Sequence, residues 1–587
     1  MGLGKAASSW RNYAMPLLSL AVCGTVLAVM HLQPELSSMI FGTNADNLMQ
    51  SVQGLTNHSY VQEKVSLAKT VFGTLVTTSS AIRIKYVSPV LQVLIGFSAF
   101  LSALVAADRL FHFYIAIFWQ KISRKRPEDY FNFKPLPTTN LKEQASMFPM
   151  VVAQIPMFNE KAVCEQVIDA CCEMTWPSSR LLVQVLDDST CEETRRLVED
   201  KVLEWRERGV NIENRWRSNR KGYKAGALME AERYIADYEY TAIFDADFRP
   251  EPDFLLQTIP YLKENPKVGF VQSRWVYANT DESMLTKVQE ISLNYHIKCE
   301  QYARFSTGNF FNFNGTAGVW RKRCIEDAGG WNNRTTVEDM DLSLRAYLAG
   351  WKFVFLNDVT CVNELPSSYD AYRKQQHRWS CGPMQLWRKA MNSVWNSKIP
   401  FVQKLYLNIF FFGTRLFATH IVSFVFYCSL VPIAVYAPEV SIPFWSLVYV
   451  PIMVTLSTVV FTPRSWYHCA HYVLFENAMS VVKITAMLSG LFELSDSHQW
   501  IVTEKTGSWL KKKKTGDSIK APIKKPKSTS RKVYKREIAM AFFVLACGMY
   551  GIFVVERWEY SVFLILQGIT FLFFGLDCVD GRSTSLF

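Results

Sequence analysis

The chain predicts an α/β domain, with a mostly parallel sheet, inserted between two sets of membrane helices. Three observations predict it. Apolar runs long enough to span a bilayer lie at both ends of the 587 residues, and an ordinary polar stretch fills the middle. Short apolar segments in that middle alternate with amphipathic, helix-like ones, the pattern of a parallel sheet wrapped by helices. Several of the apolar segments end directly in carboxylates, and open α/β sheets bind ligands beyond the carboxyl ends of their strands.

Taken from the N-terminus, Tyr13–Met30 reads as a first span, with Lys5 and Arg11 keeping the flank before it cytoplasmic. Val90–Ala107, continued by Leu110–Trp119, reads as a second, followed by the basic Arg124-Lys-Arg126. The loop between them, 32–85, is then lumenal and carries the glycosylation pattern Asn57-His-Ser59. Beyond the polar middle come Leu407–Val435, Ile442–Phe461, His471–Leu494, Ile538–Val555 and Val562–Leu576. Residues 505–536 hold 13 Lys and Arg against one acid, Asp517, so this stretch carries the whole formal net charge of +12. Such a loop is rarely translocated. With His471–Leu494 laid in the interface, because Glu476, Asn477, Lys483 and Glu493 are expensive at bilayer depth, the count is about six spans and the basic loop stays cytoplasmic. The remaining residues are charge-balanced, so the charge gives no support for a nucleic-acid partner. The resulting segments are 1–120 (two spans), 121–400 (the α/β domain), 401–494 (two spans and interfacial helices), 495–536 (the basic loop) and 537–587 (two spans and a short tail). The thirteen cysteines show no zinc spacing.

In the polar domain, Met150–Ile155, Leu181–Leu186, Thr241–Phe244 and Val268–Val271 read as strands, and Cys191–Arg206 and Lys224–Ile235 as helices. Glu160 lies just past the first strand. Asp187-Asp188 ends the second, where a carboxylate can accept from a nucleobase or cap the following helix with the help of Ser189. Asp245-Ala-Asp247 ends the third. Carboxylates at i and i+2 can present oxygens to Mg²⁺ or Mn²⁺ bridging a diphosphate, although the pattern alone is equally that of a solvated turn. In Arg220-Lys-Gly-Tyr-Lys-Ala-Gly226, Lys221 or Lys224 can neutralise phosphate. One acid of Glu338-Asp339-Met-Asp341 can serve as general base or complement a helix dipole. Gln375-Gln-His-Arg-Trp379 sets a cation beside an indole; Arg378 can hold phosphate and Trp379 can stack on a sugar or anchor the membrane boundary.

Together and in this order these pieces resemble the family-2 glycosyltransferases, whose catalytic domain is GT-A-like. Gln375-x-x-Arg378-Trp379, Phe313-Asn-Gly-Thr316 and Trp500-x-Val-Thr503-x-Lys505 resemble motifs of the processive members, the last resembling their cytoplasmic gating loop. Asn219–Leu228, Gln272–Trp275, Phe313–Arg321 and Trp500–Gly507 are most similar to plant and algal cellulose synthase-like proteins of the A and C groups, over about residues 90–510. The resemblance implies a multi-pass Golgi enzyme with a cytoplasmic catalytic domain. It would perform inverting, processive β-1,4 transfer from a nucleotide sugar to a growing polysaccharide, with Mn²⁺ or Mg²⁺ as cofactor. Brevity of the terminal extensions favours GDP-mannose and a glucomannan 4-β-mannosyltransferase over UDP-glucose and a xyloglucan backbone. The implied roles are Asp339 as base; Asp188, in the same catalytic set, contacting the nucleobase; Asp245 and Asp247 as metal ligands; Glu160, Asp187 and Gln375 in substrate binding; Lys224 and Arg378 stabilising the departing diphosphate; Phe313 and Trp379 lining the acceptor site; and Thr503 and Lys505 closing over the nucleotide. A non-processive lipid-linked transferase fits the C-terminal spans less well, and a transporter with a phosphate-binding loop would need a Walker A sequence, which is absent. Cys191 stands where the relatives usually carry a third Asp.

Overall fold

A computed structural model describes residues 70, 71, 74, 77–494 and 532–579. The chain forms two compact units, Met1–Val87 and Ser88–Phe587. The described end of the first is helical and finishes in a π-helical turn, Arg83–Val87. The second opens with α1 (Ser88–Ile117) and holds the sheet and everything after it.

The sheet has eight strands: β1 (Val151–Met157), β2 (Leu181–Asp187), β3 (Ile212–Trp216), β4 (Tyr240–Ile243), β5 (Arg249–Pro250), β6 (Val268–Tyr277), β7 (Gly318–Arg321) and β8 (Lys352–Asn363), in the order β3-β2-β1-β4-β7-β6-β8-β5. All seven residues of β1 and of β2 are buried, as expected of parallel strands covered on both faces. Their two glutamines do not strand polar groups in the core. Gln154 donates to Gln184 at 2.9 Å, and Gln184 to Glu213 at 2.7 Å, a ladder across three strands.

The sheet is mixed rather than mostly parallel. Strands β3, β2, β1 and β4 run parallel, as do β6 and β8, but β7 inserts antiparallel between β4 and β6, and β5 pairs antiparallel with β8. The four predicted strands are present, and the registers Met157↔Asp187 and Gln154↔Ile243 bring the ends of β1, β2 and β4 to one edge. Helices α2 (Glu192–Glu207), α3 (Tyr223–Ala231) and α4 (Glu338–Leu348) start just beyond that edge or in the loops facing it.

Three helices among the described residues are long and apolar enough to cross a membrane: Thr77–Ile122, Phe401–Ala434 and Lys535–Phe553. Trp445–Val459 and Tyr560–Gly575 are shorter apolar helices. Each predicted span from Val90 onward falls on one of these five; Tyr13–Met30 lies outside the described residues. The segment read as interfacial is α6 (Cys469–Phe492), which runs beside α5 (Tyr369–Asn396) in the same direction. Phe475 meets Tyr372, with ring centroids 5.5 Å apart, and near the other end Leu491 accepts from Arg388 at 3.1 Å. Its expensive charges are paired, Lys483 with Glu476 at 2.5 Å and Glu493 with Lys389 at 3.2 Å.

Candidate active site

A cavity of about 430 Å³ opens beyond the carboxyl ends of β1, β2 and β4. It is lined by Glu160, Asp188, Lys224, Asp245, Asp247, Asp339, Gln375, Arg378 and Trp379, nine of the predicted site residues. It continues between α1, α6 and the Phe401–Ala434 helix, past Arg109, Glu300, Arg415 and Lys483, none of which belongs to a sequence motif.

Asp188 is held from both sides of its carboxylate. Arg217 donates Nε to Oδ1 at 2.7 Å and Nη2 to Oδ2 at 2.6 Å, with both side chains buried. Such a fork is among the stronger polar contacts in proteins. Arg217 also donates to the Tyr223 carbonyl at 3.1 Å, tying the loop before α3 to β2. Asp187 does not line the cavity. It is wholly buried behind Asp188, its Oδ1 accepts from the Ser189 amide at 2.8 Å, and burial raises its pKa. The start of α2 is capped from elsewhere: Asn159 Oδ1, after β1, accepts from the amides of Thr190 and Cys191 at 3.0 and 2.9 Å.

Lys224 enters in the first turn of α3. Its Nζ donates to Asp245 Oδ1 at 2.5 Å and to the Gly315 carbonyl at 2.8 Å, so Lys224, not Lys221, is the lysine of the site. Burial works against its charge, but Asp245, Glu338 and Asp339 together outweigh burial and raise its pKa. The Asp245 amide donates to Thr316 Oγ1 at 2.8 Å, which fixes the loop that follows β4.

Of the three acids that open α4, Asp341 is committed to structure: fully buried, it takes Arg334 at 2.5 Å and Arg345 at 3.1 Å. Asp339 faces the cavity. Its Oδ1 accepts from the Met340 amide at 2.8 Å, and its Oδ2 lies 3.0 Å from where a side chain would begin at Gly315. Burial raises the pKa of Asp339 against the pull of Lys224, and burial together with the neighbouring Asp339 raises that of Glu338. A half-buried carboxylate poised above its ordinary range is what a general base at neutral pH requires.

The loop before α4 is locked to α5. A Cβ on Gly382 would fall 2.6 Å from Val337 Cγ1 and 2.8 Å from Thr336 Oγ1, and the Thr336 amide donates to Gln385 at 3.2 Å. Helix α5 thus carries Gln375, Arg378 and Trp379 to the cavity on a backbone seated against the loop that aims Asp339.

Phe313, read as an acceptor-site residue, is instead in the core. It is fully buried, with ring centroids 5.5 Å from Phe270 and 5.4 Å from Trp320, while its neighbours Asn312, Asn314 and Gly315 line the cavity. The large apolar ring is worth more against other aromatics than in a polar site. Thr503 and Lys505 lie outside the described residues.

Residues 240–462 match the model of the glycosyl transferase family group 2. The chain is 43% identical over 507 residues to glucomannan 4-beta-mannosyltransferase 1 of Oryza sativa subsp. japonica, covering 85% of this chain and 96% of that one. The chain belongs to the family-2 glycosyltransferases. The transferase is also 44% identical over 494 residues to glucomannan 4-beta-mannosyltransferase 2 of Arabidopsis thaliana, covering 84% of this chain and 92% of that one. Among solved structures, the mannosyltransferase PcManGT from Pyrobaculum calidifontis, in complex with GDP-Man and Mn²⁺, aligns at 20% identity with a TM-score of 0.47, over 68% of the transferase and 99% of that chain.

Among the described residues of the transferase, no group of three or more His, Cys, Asp or Glu side chains is placed to hold a metal by itself. Asp245 and Asp247 supply two hard oxygen donors at the mouth of β4, beside a lysine. That donor set fits Mg²⁺ or Mn²⁺, which commonly bind one or two carboxylates and complete their shell with substrate phosphates and water.

Proposed function

We propose that the transferase is a glucomannan 4-β-mannosyltransferase, transferring mannose from GDP-mannose to the growing end of a β-1,4-linked chain with inversion. The observation that carries this reading is the convergence of Asp188, Lys224, Asp245, Asp247 and Asp339 with Gln375, Arg378 and Trp379 on one cavity, in a chain 43% identical to a rice glucomannan 4-beta-mannosyltransferase. Asp339 takes the proton from the attacking acceptor hydroxyl. Lys224 and Arg378 hold positive charge where the diphosphate departs. Trp379 offers an apolar face to the acceptor sugar, whose ring carbons stack on indole. Asp188, kept rigid by Arg217, contacts the donor base. Mg²⁺ or Mn²⁺, when held by Asp245 and Asp247, supplies further charge that offsets the diphosphate leaving group.

The continuation of the cavity among apolar helices supports retention of the product between cycles, and hence processive action. The basic cluster Arg124–Arg126 after the helix Thr77–Ile122 supports a cytoplasmic catalytic domain. The test is incubation of membranes containing the enzyme with radiolabelled GDP-mannose, GDP-glucose or UDP-glucose, followed by linkage analysis. The expected product is a 4-linked, mannose-containing polymer. A 4-linked glucan made from UDP-glucose alone would replace this reading with that of a glucan synthase.

A further inference from the structure

Arg220 lines the cavity beside Phe158, Glu160 and Asp188, just past β1 and β2. Its guanidinium carbon sits 3.4 Å from the centre of the Phe158 ring and 5.0 Å from that of Tyr223. A guanidinium resting on an aromatic ring keeps its N–H edge available in the plane of the fork. That edge is unused: the side chain makes no hydrogen bond or ion pair with the described residues, and its Nε is buried without a partner. The neighbouring cations differ. Arg217 is spent on Asp188 and Tyr223, and Lys224 on Asp245 and Gly315. Arg220 also holds a left-handed backbone, φ 38°, in a loop where Tyr223 does the same at 51°. Such non-glycine conformations recur at functional sites, where the surroundings over-determine them.

We propose that Arg220 reads the donor base, its fork donating to the adjacent O6 and N7 acceptors of guanine; this rests on the GDP-linked donor proposed above. Two observations select the base over the diphosphate. Lys224 and Asp245 mark the diphosphate end of the cavity. Arg220 stands instead among Glu160 and Asp188, whose carboxylates repel phosphate but accept from the N1–H and N2–H donors of guanine. Guanine offers two adjacent acceptors, O6 and N7, to one arginine fork; uracil offers single carbonyls on either side of one N–H.

Calorimetric titration of the full-length, detergent-solubilised enzyme with GDP, 7-deaza-GDP and UDP, in the presence of Mn²⁺, tests this. The wild type should bind GDP about tenfold more tightly than 7-deaza-GDP, which lacks the N7 acceptor. Arg220→Lys, which keeps the charge and loses the fork, should weaken GDP about tenfold and abolish that preference. Equal affinity of the wild type for GDP and 7-deaza-GDP overturns the proposal even without the variant. So does an equal loss for both ligands in Arg220→Lys, the mark of a phosphate contact or a damaged fold. Tighter binding of UDP than GDP by the wild type sinks the GDP-mannose reading itself, and this proposal with it.

Discussion

Replacing Gly315 by alanine should slow catalysis about tenfold while sparing the donor site. The residue lies at φ +81°, where an L side chain costs roughly 1–2 kcal/mol. The new methyl would stand 3.0 Å from Asp339 Oδ2 and 3.6 Å from Lys224 Nζ. Comfortable contacts begin near ~3.5 Å, so the carboxylate must retreat by about 0.5 Å. If a misplacement of ~1 Å costs about a hundredfold, half of that costs about tenfold, or ~1.4 kcal/mol of barrier. Lys224 already has its ordinary contact distance and need not move. The assay is kcat for polymer formation, set against the affinity for GDP with Mn²⁺ by calorimetry and the melting temperature. Expected are a tenfold lower kcat, GDP affinity within threefold of wild type, and melting lower by a few degrees. A folded variant with kcat within twofold of wild type would refute the placement of the base. So would a loss that appears in GDP affinity rather than in kcat.

Other outcomes follow from the same geometry. Asp339→Asn should abolish transfer and leave GDP binding nearly intact; a residual rate above about a tenth of wild type is too small a loss for a base. Because burial raises the Asp339 pKa and the base must be ionised, kcat/KM should fall as pH drops through a value above the ordinary carboxylate range. Lys224→Met, which removes the main opposing charge, should move that acidic limb higher still, and a wild-type limb near pH ~4 would contradict this. Asp247→Asn should raise the Mn²⁺ or Mg²⁺ concentration needed for GDP binding, since one charged oxygen ligand is lost; unchanged metal dependence in calorimetry would remove Asp247 from the site.

What could be read from the sequence was local. A strand buried on both faces is a short apolar run, and an acid at its end is visible next to it, so β1, β2, β4 and the carboxylates beyond them were found within a residue or two. What could not be read was set by partners far along the chain. The antiparallel insertion of β7 depends on a pairing between β4 and β6 that no local period records. Arg217 stands in no motif, yet it grips an aspartate 29 residues earlier. The three acids opening α4 look alike in sequence; only the packing shows that Asp341 is taken by two arginines and Asp339 is turned to the cavity. Phe313 was misplaced because the motif gives its position and not the direction of its ring.

The seating of Gly382 on Val337 sets a ruler. A helix moves along its axis in steps of about 1.5 Å per residue, and no such step fits while a single added methyl would already collide at 2.6 Å. The stretch of α5 that follows Trp379 and the loop that aims Asp339 are therefore seated on one another without a gap. If one sugar rests on the indole of Trp379 while its hydroxyl is presented to the carboxylate of Asp339, that seating sets the spacing of the two backbones against which the monomer is measured.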